Sequence, residues 1–429
     1  TKGEIFMSGL RRGGWMGLAA AACLACEAFA AQGDWPQWRG PNRDGVSTET
    51  GLLDHWPENG PPLAWQAKGL GGGYSSVAVA DGSIFTMGKR DGKECLIALS
   101  VNDGAVLWAT PLGGASDPNG TPTVDGDRVY AVGLQGDLVC AEAANGRIVW
   151  QKNYGRDFGG QMMSGWGYSE SPLVDGDKLI CTPGAGDAIL AALDKRTGNV
   201  LWKAAWPGTV GERGKDGAGY SSVVVSQGAG VRQYVQLIGR GLIGVSAADG
   251  RVLWTYNRVA NGTANIPTPI VKGDYVFCSS GYGTGAALLK LVKDGSGVKA
   301  EEQYFLEASK LQNHHGGMVL VGNHVYCGHG HNEGKPICME MLTGKIAWEP
   351  GRGPGSASAA ITCADGHLYF RYQNGVLALI EAKPDKYVLN SSFQLPVLNG
   401  NSWSHPVVAG GRLYLRDQDA LLCYDIKRK

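Results

Sequence analysis

The sequence predicts an all-β fold, an eight-bladed β-propeller whose last blade is completed by the N-terminus. Three observations predict it. A short turn followed by two aliphatic residues and a tryptophan recurs along the chain, a tight hairpin recurs before each copy, and one tryptophan-bearing strand near the N-terminus has no hairpin of its own. The composition agrees, because 67 Gly and 13 Trp among 429 residues suit many tight turns between packed sheets.

The hairpins set the number of blades. "SSVAVADGSIFTM" and "GTPTVDGDRVYAV" show the pattern: two alternating strands joined by Asp-Gly, which supplies the positive φ that a tight turn requires. Eight such turns recur 43 to 52 residues apart, at Asp81, Asp125, Asp175, Gln227, Gly273, Gly322, Asp365 and Gly410. A period of this length matches four strands per repeat, as in propeller blades.

The outer strand of each blade carries the repeated tryptophan. "SVNDGAVLWAT" and "SAADGRVLWTY" are two copies, and the residues concerned are Trp108, Trp150, Trp202, Trp254 and Trp348. We expect each indole to pack against the neighbouring blade, where aromatic burial contributes about 2–3 kcal/mol. Two blades depart from the pattern, the fifth offering Tyr304 and the seventh Val388 at this place.

The two chain ends are expected to close the ring. The last blade ends at "LLCYDIKRK" without an outer strand, whereas "PPLAWQAKGL" holds Trp65 in an outer-strand context. We therefore expect residues 63–68 to complete the eighth blade, which hides sheet edges that would otherwise pair with other chains. The propeller then spans residues 63–429.

The N-terminal residues are typical of an export signal. Arg11 and Arg12 precede an Ala-rich apolar stretch that closes on Ala28-Phe29-Ala30, so residues 1–31 are predicted to be a signal peptide with an upstream extension. The apolar run is too short to span a membrane. Cys23 and Cys26 lack the aliphatic residue that a lipid-anchor site places three positions earlier. We expect a periplasmic or cell-envelope protein without a lipid anchor, and residues 32–62 form an N-terminal extension.

Charge and cysteine content exclude several classes of function. The 39 basic and 39 acidic residues balance, so the chain has no electrostatic reason to bind nucleic acid. None of the eight cysteines after the signal forms a C-x-x-C pair, which argues against zinc-ribbon, thioredoxin and haem-attachment sites. They lie in apolar runs and are interpreted as small buried hydrophobes, with any disulfide pairing left open. A closed propeller is expected to be a monomer.

The repeat resembles that of a known family. Its pattern, a turn with Asp-Gly, Asn-Gly or Thr-Gly followed by an aliphatic residue and Trp, resembles the tryptophan-docking motif of the pyrroloquinoline-quinone-like (PQQ-like) repeat family. That family includes quinoprotein alcohol dehydrogenases and the propeller lipoprotein of the outer-membrane Bam assembly machine. The segment "DWPQWRGPNRDGVSTETGLLDHWP" is similar to the start of secreted PQQ-like propellers of planctomycete-type bacteria.

Candidate site residues lie in the loops that precede each inner strand or join the second and third strands. These loops share one face of a propeller, around the mouth of the central channel. The polar and aromatic residues predicted there are Tyr74, Asn119, Trp166, Tyr168, Glu170, Tyr220, Asn265, Trp403 and His405. Such a rim could bind a flat ligand. The alternative is that the rings plug the channel.

Four histidines of the sixth blade are a separate candidate. "QNHHGG" and "CGHGHNEG" place them on the same face, where imidazoles could bind a transition metal, or could simply be solvated. They are His314, His315, His329 and His331.

The resemblance implies a possible cofactor, PQQ with calcium. In the resembling dehydrogenases a Glu and an Asn hold the ion and an Asp acts as base. Glu170 would stand for the carboxylate, Asn265 or Asn119 for the amide, and Trp166 or Trp403 for the stacking ring. No rim Asp matches the base, and the adjacent Cys-Cys pair and the long insertions of those enzymes are absent.

Two functions follow. The favoured one is an exported, non-catalytic scaffold that binds an envelope protein, peptide or glycan on its rim. The alternative is a PQQ- and calcium-dependent alcohol or sugar dehydrogenase.

Overall fold

A computed structural model describes residues 33–207 and 211–429, together with Thr1 and Gly3. The predicted signal peptide lies outside the described residues, apart from those first positions. In the described part of the chain, 32 strands form eight four-stranded antiparallel sheets, each a meander of consecutive strands except the last.

The N-terminal strand β1 (Leu63–Ala67) precedes blade one, which contains β2 (Ala78–Ala80), β3 (Ser83–Arg90), β4 (Lys93–Ser100) and β5 (Val106–Pro111). Blade two contains β6 (Thr123–Asp125), β7 (Arg128–Val132), β8 (Asp137–Glu142) and β9 (Ile148–Asn153). After the short helix α1 (Tyr154–Phe158), blade three contains β10 (Leu173–Asp175), β11 (Lys178–Cys181), β12 (Leu190–Asp194) and β13 (Val200–Ala204). Blade four contains β14 (Val224–Ser226), β15 (Gln233–Ile238), β16 (Gly241–Ser246) and β17 (Val252–Tyr256), with a 3₁₀ turn at Gly228–Gly230.

Blade five contains β18 (Ile270–Lys272), β19 (Tyr275–Ser280), β20 (Gly285–Asp294) and β21 (Gly297–Leu306). Blade six contains β22 (Met318–Val321), β23 (His324–His329), β24 (Lys335–Glu340) and β25 (Ile346–Trp348). Blade seven contains β26 (Ala359–Ala364), β27 (His367–Tyr372), β28 (Val376–Glu381) and β29 (Leu389–Gln394). Blade eight contains β30 (Val407–Ala409), β31 (Arg412–Asp417) and β32 (Ala420–Asp425), and its fourth strand is β1.

This last pairing confirms the predicted closure. Strand β1 runs antiparallel to β32, with Leu63 opposite Tyr424 and Trp65 opposite Cys423. Eight apolar cores, one between each pair of neighbouring blades, complete the ring. The fold is therefore an eight-bladed β-propeller, as the sequence predicts.

Several of the repeated tryptophans pack between blades in a common way, whereas Trp254 donates to Gln233 of its own blade at 2.6 Å and Nε1 of Trp202 has no hydrogen-bond partner among the described residues. The indole of Trp150 in blade two lies over Gly198 in the outer turn of blade three and donates from Nε1 to the carbonyl of Lys195 at 3.0 Å. Trp65 and Trp108 make the equivalent bonds to the next blade, at 3.1 Å and 3.0 Å. Each accepting carbonyl lies three residues before the glycine, so the turn sequence itself provides the contact.

The fifth and seventh blades, which lack the outer-strand tryptophan, differ in what replaces it. Tyr304 of blade five lies against Gly344 and donates its hydroxyl to the carbonyl of Met341 at 2.5 Å, so it makes the contact of an outer-strand tryptophan. In blade seven the expectation at Val388 was wrong, because β29 begins one residue later. The register places Ser391 at the equivalent position, opposite Leu379 beside the bulge.

The N-terminal extension supplies the indole that blade seven lacks. Trp56 is 2% exposed and packs between blades seven and eight. Its ring centroid lies 5.7 Å from that of Tyr369 and 5.6 Å from that of Phe393. Its backbone N–H donates to Oγ of Ser391 at 2.8 Å, at the position where the other blades carry the tryptophan.

The earlier part of the extension, residues 35–46, crosses the centre of the ring and is called here the channel segment. Trp35 pairs with Val79 of blade one, and Val46 bridges to Cys363 of blade seven. Between these ends, Trp38 donates to Oγ1 of Thr268 at 3.2 Å. The channel segment therefore contacts several inner strands at once.

No helix in the described ranges is long and apolar enough to cross a membrane. All eight cysteines that the structure describes are buried free thiols, as expected for small apolar side chains. Burial raises the pKa of several of these thiols, to about 12 for Cys327, which keeps them protonated.

Candidate functional site

A cavity of about 780 Å³ lies at the mouth of the central channel. Each of the eight blades contributes at least one lining residue, always from a loop before an inner strand or between second and third strands. Trp38 and Arg39 of the channel segment also line it. We call this cavity the funnel and the part formed by Trp38 and Arg39 its floor.

One wall of the funnel is a chain of aromatic rings. Tyr74 and Trp403 lie 4.6 Å apart between ring centroids, and Trp403 lies 4.9 Å from His315. Trp38 contacts His405 at 4.5 Å. The indole N–H of Trp403 donates to a side-chain oxygen of the neighbouring blade at 2.8 Å, which fixes the ring. The wall therefore offers packed ring faces to a ligand.

The opposite wall gathers further residues that the sequence predicted. The hydroxyl of Tyr220 lies 2.6 Å from Oγ of Ser164 and accepts from the backbone N–H of Trp166 at 3.3 Å. Asn119 donates to Oγ of Ser169 at 3.0 Å. The side chain of Trp166 is exposed, with 60% of its surface accessible. Six of the nine predicted rim residues thus line one cavity: Tyr74, Asn119, Trp166, Tyr220, Trp403 and His405.

The remaining three lie beside the funnel rather than in its lining. One oxygen of Glu170 accepts from the hydroxyl of Tyr154 at 2.6 Å and from the backbone N–H of Thr182 at 2.8 Å, and burial raises the pKa of this carboxyl. Tyr168 donates to a backbone carbonyl at 2.9 Å. Asn265 is fully buried, with its amide donating to two backbone carbonyls and its oxygen accepting from a backbone N–H at 3.0 Å.

These contacts bear on the fit of a quinone with calcium. Calcium requires several oxygen ligands directed at one point. The side-chain oxygen of Asn265 is occupied by hydrogen bonds, and neither it nor Glu170 lines the funnel. Glu170 keeps one oxygen without a hydrogen-bond partner, but within the described ranges it belongs to no group of three or more His, Cys, Asp or Glu side chains that could hold a metal ion. The residues that the resemblance points to do not fit a calcium–quinone centre in this arrangement.

The histidine cluster differs from the predicted set of four. His314 lies 4.5 Å from His315 and 4.4 Å from His331, whereas His329 accepts from a backbone N–H elsewhere and does not line the funnel. The ring nitrogens of His314 are engaged by Ser358 at 2.7 Å and by Tyr282 at 3.0 Å.

Burial lowers the pKa of His314 to about 4, so this ring is neutral at neutral pH. Within the described ranges no group of three or more His, Cys, Asp or Glu side chains is arranged to hold a metal ion. A metal on these histidines stays a prediction.

Among the lining residues that the sequence analysis did not single out, four are aromatic or charged: Trp38, Arg39, Asp117 and Tyr282. Tyr282 and Asp117 lie in the same loop classes as the predicted residues, and "SSGYGTG" repeats the Gly-Tyr of the other rim tyrosines. Trp38 and Arg39 belong to a segment outside the repeat, so no periodicity could assign them to the channel. The two Trp and two Arg residues in "DWPQWRGPNRDG" were the available signal.

Comparison with known proteins identifies a family. The family model PQQ_2, described as outer membrane protein assembly factor BamB, matches residues 49–133 and 92–350, which together exceed half of the chain.

Among curated relatives, the outer membrane protein assembly factor BamB of Shewanella oneidensis is 35% identical over 123 residues, covering 25% of this chain and 30% of that protein. The protein of the same name from Bordetella pertussis is 31% identical over 157 residues, covering 34% of each. The chain thus spans about a third of the length of these relatives.

Solved structures match over most of the chain. Quinohemoprotein alcohol dehydrogenase from Comamonas testosteroni superposes with a TM-score of 0.64 at 15% identity, covering 94% of this chain and 82% of that one. The quinohemoprotein alcohol dehydrogenase ADHIIG from Pseudomonas putida HK5 gives 0.62 at 15% identity, covering 93% and 81%. At such identities the likeness concerns the fold alone. With its family match and its eight repeated blades, the chain belongs to the PQQ-like propeller family described as outer membrane protein assembly factor BamB.

Proposed function

We propose that this protein is exported to the cell envelope and acts there as a non-catalytic binding protein, which holds a segment of an envelope protein or a peptide in the funnel. The family's description as an assembly factor supports a role in protein binding. The predicted signal peptide at residues 1–31 supports export. A closed propeller with an aromatic mouth favours action as a monomeric scaffold.

The character of the funnel is the observation that carries this proposal. Its walls combine packed ring faces with hydroxyl and amide groups, the combination that binds chain segments by stacking and hydrogen bonding. Asp117 is the one carboxylate among the described lining residues, and it is exposed at the rim. A base that removes a hydroxyl proton must lie within hydrogen-bonding reach of a held substrate. Within the described ranges, no group of three or more His, Cys, Asp or Glu side chains lies beside Asp117 to hold a metal ion, which favours binding over catalysis with PQQ and calcium.

The dehydrogenase is the second candidate, supported by the likeness in fold to quinohemoprotein alcohol dehydrogenases. It is separated from the first by one reconstitution. The purified protein is mixed with PQQ and calcium at micromolar concentration, and quinone absorbance and dye reduction with alcohols and sugars are measured. We expect no retained quinone and no dye reduction. Alcohol-dependent dye reduction would contradict the non-catalytic proposal.

Partner binding is tested with a rim variant and a matched surface variant. The double substitution Tyr74→Ala and Trp403→Ala removes two rings of the aromatic wall. The control Leu107→Ala removes a side chain that is 54% exposed on outer strand β5, away from the funnel.

Each protein, expressed with its signal peptide, is cross-linked in the envelope and purified, and the bound outer-membrane assembly proteins are identified. We expect the wild type and the Leu107→Ala variant to retain the same partner and the rim variant to lose it. Retention by all three would exclude the funnel as the binding surface.

A further inference from the structure

The floor of the funnel contains a buried cation that lies near the Asp44 carboxylate but forms no ion pair with it in the described ranges. Arg39 is 4% exposed, and its Nη2 donates to the backbone carbonyls of Asp44 and Met318. Its Nε and Nη1 have no hydrogen-bond partner in the part of the chain that the structure describes, and no ion pair there includes it. Burial lowers the pKa of this guanidinium only to about 10, so it is charged at neutral pH. Burying a charge costs several kcal/mol, and the Asp44 carboxylate offsets part of this cost without bonding to the guanidinium.

The other buried arginines near the channel are satisfied differently. Arg371 pairs with Asp417 at 3.0 Å, and Arg416 donates from all three of its nitrogens. Arg43, also on the channel segment, donates from both terminal nitrogens. The acceptors are the side-chain oxygen of Gln37 and the backbone carbonyls of Ser171 and Pro172. Of these four, Arg39 alone lines the funnel and has a terminal nitrogen without a partner. Its unpartnered Nη1 lies beside Gly317, which also lines the funnel.

Two imidazoles of the funnel also have nitrogens without partners. Nε2 of His315 and Nδ1 of His405 are buried and have no hydrogen-bond partner among the described residues, and both side chains line the funnel. Burial lowers the pKa of His405 to about 3 and that of His315 well below its usual value, so both rings are neutral. They offer hydrogen bonds without adding charge. Arg39 is the one Lys or Arg side chain among the described lining residues.

The space around these groups is shaped by indoles and by a glycine. Trp38 contacts the ring of His405, and Trp403 contacts the ring of His315. At Gly317 a β-carbon would collide with Nη1 of Arg39 and lie 3.0 Å from Cε1 of His405. The glycine therefore allows the guanidinium to lie against the backbone beneath flat apolar faces.

We propose that the floor of the funnel binds one organic carboxylate, which pairs with Arg39, accepts or donates hydrogen bonds at His315 and His405, and places its apolar group between Trp38 and Trp403. Guanidinium and carboxylate form the geometrically matched, charge-assisted pair that a buried arginine lacks here. A single cation favours a monoanion over a phosphate dianion. The carboxylate belongs either to the C-terminus of a polypeptide or to a small aromatic acid. This inference rests on the proposed binding function and specifies the chemistry of its ligand.

The first test uses the wild-type protein and pairs of ligands that differ only in charge. Benzoate is compared with benzamide, and a phenylalanine-terminated tetrapeptide as free acid is compared with its amide, by calorimetry and tryptophan fluorescence. We expect the acid of at least one pair to bind at least ~10-fold more tightly than its amide.

A preference confined to the peptide identifies a polypeptide C-terminus as the source, and one confined to benzoate identifies a small acid. Equal affinity within both pairs would overturn the proposal, as would tighter binding of phenyl phosphate than of benzoate.

The second test assigns the cation. Arg39→Gln should abolish the preference for acid over amide, whereas Arg43→Gln, four residues along the same segment, should keep it because Arg43 does not line the funnel. Arg39→Lys retains the charge without the planar fork and should reduce the preference. A folded Arg39→Gln protein that still prefers the acid would exclude Arg39 as the partner. Should Arg39→Gln fail to fold, the wild-type ligand pairs still decide whether a carboxylate is bound.

Failure here is distinguishable from failure of the proposed function. If the protein showed no preference for acids over amides, the cross-linking experiment could still show that the rim binds a partner protein. Alcohol-dependent dye reduction with PQQ and calcium would contradict the non-catalytic function, whether or not benzoate binds more tightly than benzamide.

Discussion

At the scale of single residues, a glycine in the outer turn of a blade makes room for the indole of the preceding blade. At Gly198, φ is +72° and a β-carbon would lie 2.8 Å from Cδ2 of Trp150. Gly176 has a similar φ of +61°, but nothing lies within 4 Å of its added carbon. A substitution at Gly176 therefore tests backbone strain alone, whereas one at Gly198 tests backbone strain together with steric conflict with the indole.

We predict that Gly176→Ala lowers the free energy of unfolding by about 1 kcal/mol through backbone strain alone. Gly198→Ala should cost ~1–3 kcal/mol more, because the indole must move out of a packed site. Urea unfolding followed by tryptophan fluorescence measures both. Equal losses for the two variants would show that the indole adapts freely and that its packing contributes little.

Glu94 is a buried carboxyl next to the funnel loops. It is 0% exposed, one oxygen accepts from the backbone N–H of Leu134 at 2.8 Å, and the other has no partner among the described residues. Burial raises its pKa from 4.5 to about 7. The native state therefore holds this proton more tightly than the unfolded chain does, and stability is lost as the pH rises from about 4.5 to 7.

We predict that Glu94→Gln removes this loss. The difference in unfolding free energy between variant and wild type should shift in favour of the variant by up to about 3 kcal/mol between pH 4 and pH 8. Glu58→Gln, at an exposed carboxyl of the N-terminal extension, is the control and should leave the pH profile unchanged. Parallel profiles for wild type and Glu94→Gln would exclude a raised pKa at this carboxyl.

Side-chain direction explains which site residues the sequence could identify. The loop topology correctly predicted that the segments around Ser169 and Ala264 reach the channel mouth. In each segment, however, alternate residues line the funnel: Ser169 and Ser171 do, whereas Glu170 does not, and Asn265 lies similarly between two lining residues. Neighbouring side chains in an extended segment point in opposite directions, and a one-residue difference decides between wall and core. Sequence position alone does not fix that choice.

At the scale of elements, the N-terminal extension acts as a structural part of the ring. Its channel segment contacts blades one, three, five, six and seven, and Trp56 fills the gap between blades seven and eight. The repeats were predictable because each blade repeats a local pattern. The extension has no such period, and its contacts join positions hundreds of residues apart, so its place in the ring could not be read from the sequence.

We predict that Trp56→Ala lowers the free energy of unfolding by about 3–5 kcal/mol, because a large buried ring leaves a cavity between two blades. Trp166→Ala removes an indole that is 60% exposed at the funnel rim and should change stability by no more than ~0.5 kcal/mol. Chemical unfolding of the three proteins under the same conditions measures the difference. Similar stability of the two variants would show that Trp56 does not replace the missing inter-blade tryptophan.

At the scale of the whole molecule, the ring is closed by a strand from the opposite end of the chain. Opening the ring between blades eight and one requires β1 to leave β32 or the connection to β2 to stretch, so closure does not depend on side-chain packing alone. Gly33 and the C-terminal residues lie close enough for a linker, because Gly33 lies against Gly410 and Lys427 lies against Gly411. Circular permutation can therefore move the break in the chain while keeping all the blades.

Two permutants, both with Lys429 linked to Gly33, differ only in where the chain is cut. A cut between Lys68 and Gly69 makes every blade from contiguous strands, so no blade joins the two chain ends. A cut between Leu342 and Thr343, in the turn before β25, makes blade six from both ends and reproduces the arrangement of blade eight in the wild type. We predict that both permutants have the same circular dichroism spectrum when folded. The Lys68–Gly69 permutant should unfold roughly 10-fold faster, because its ring can open without separating two strands from opposite ends of the chain. Stopped-flow unfolding in urea measures the rates. The Leu342–Thr343 permutant should unfold as slowly as wild type, and equal rates for the two permutants would show that inter-blade packing alone holds the ring closed.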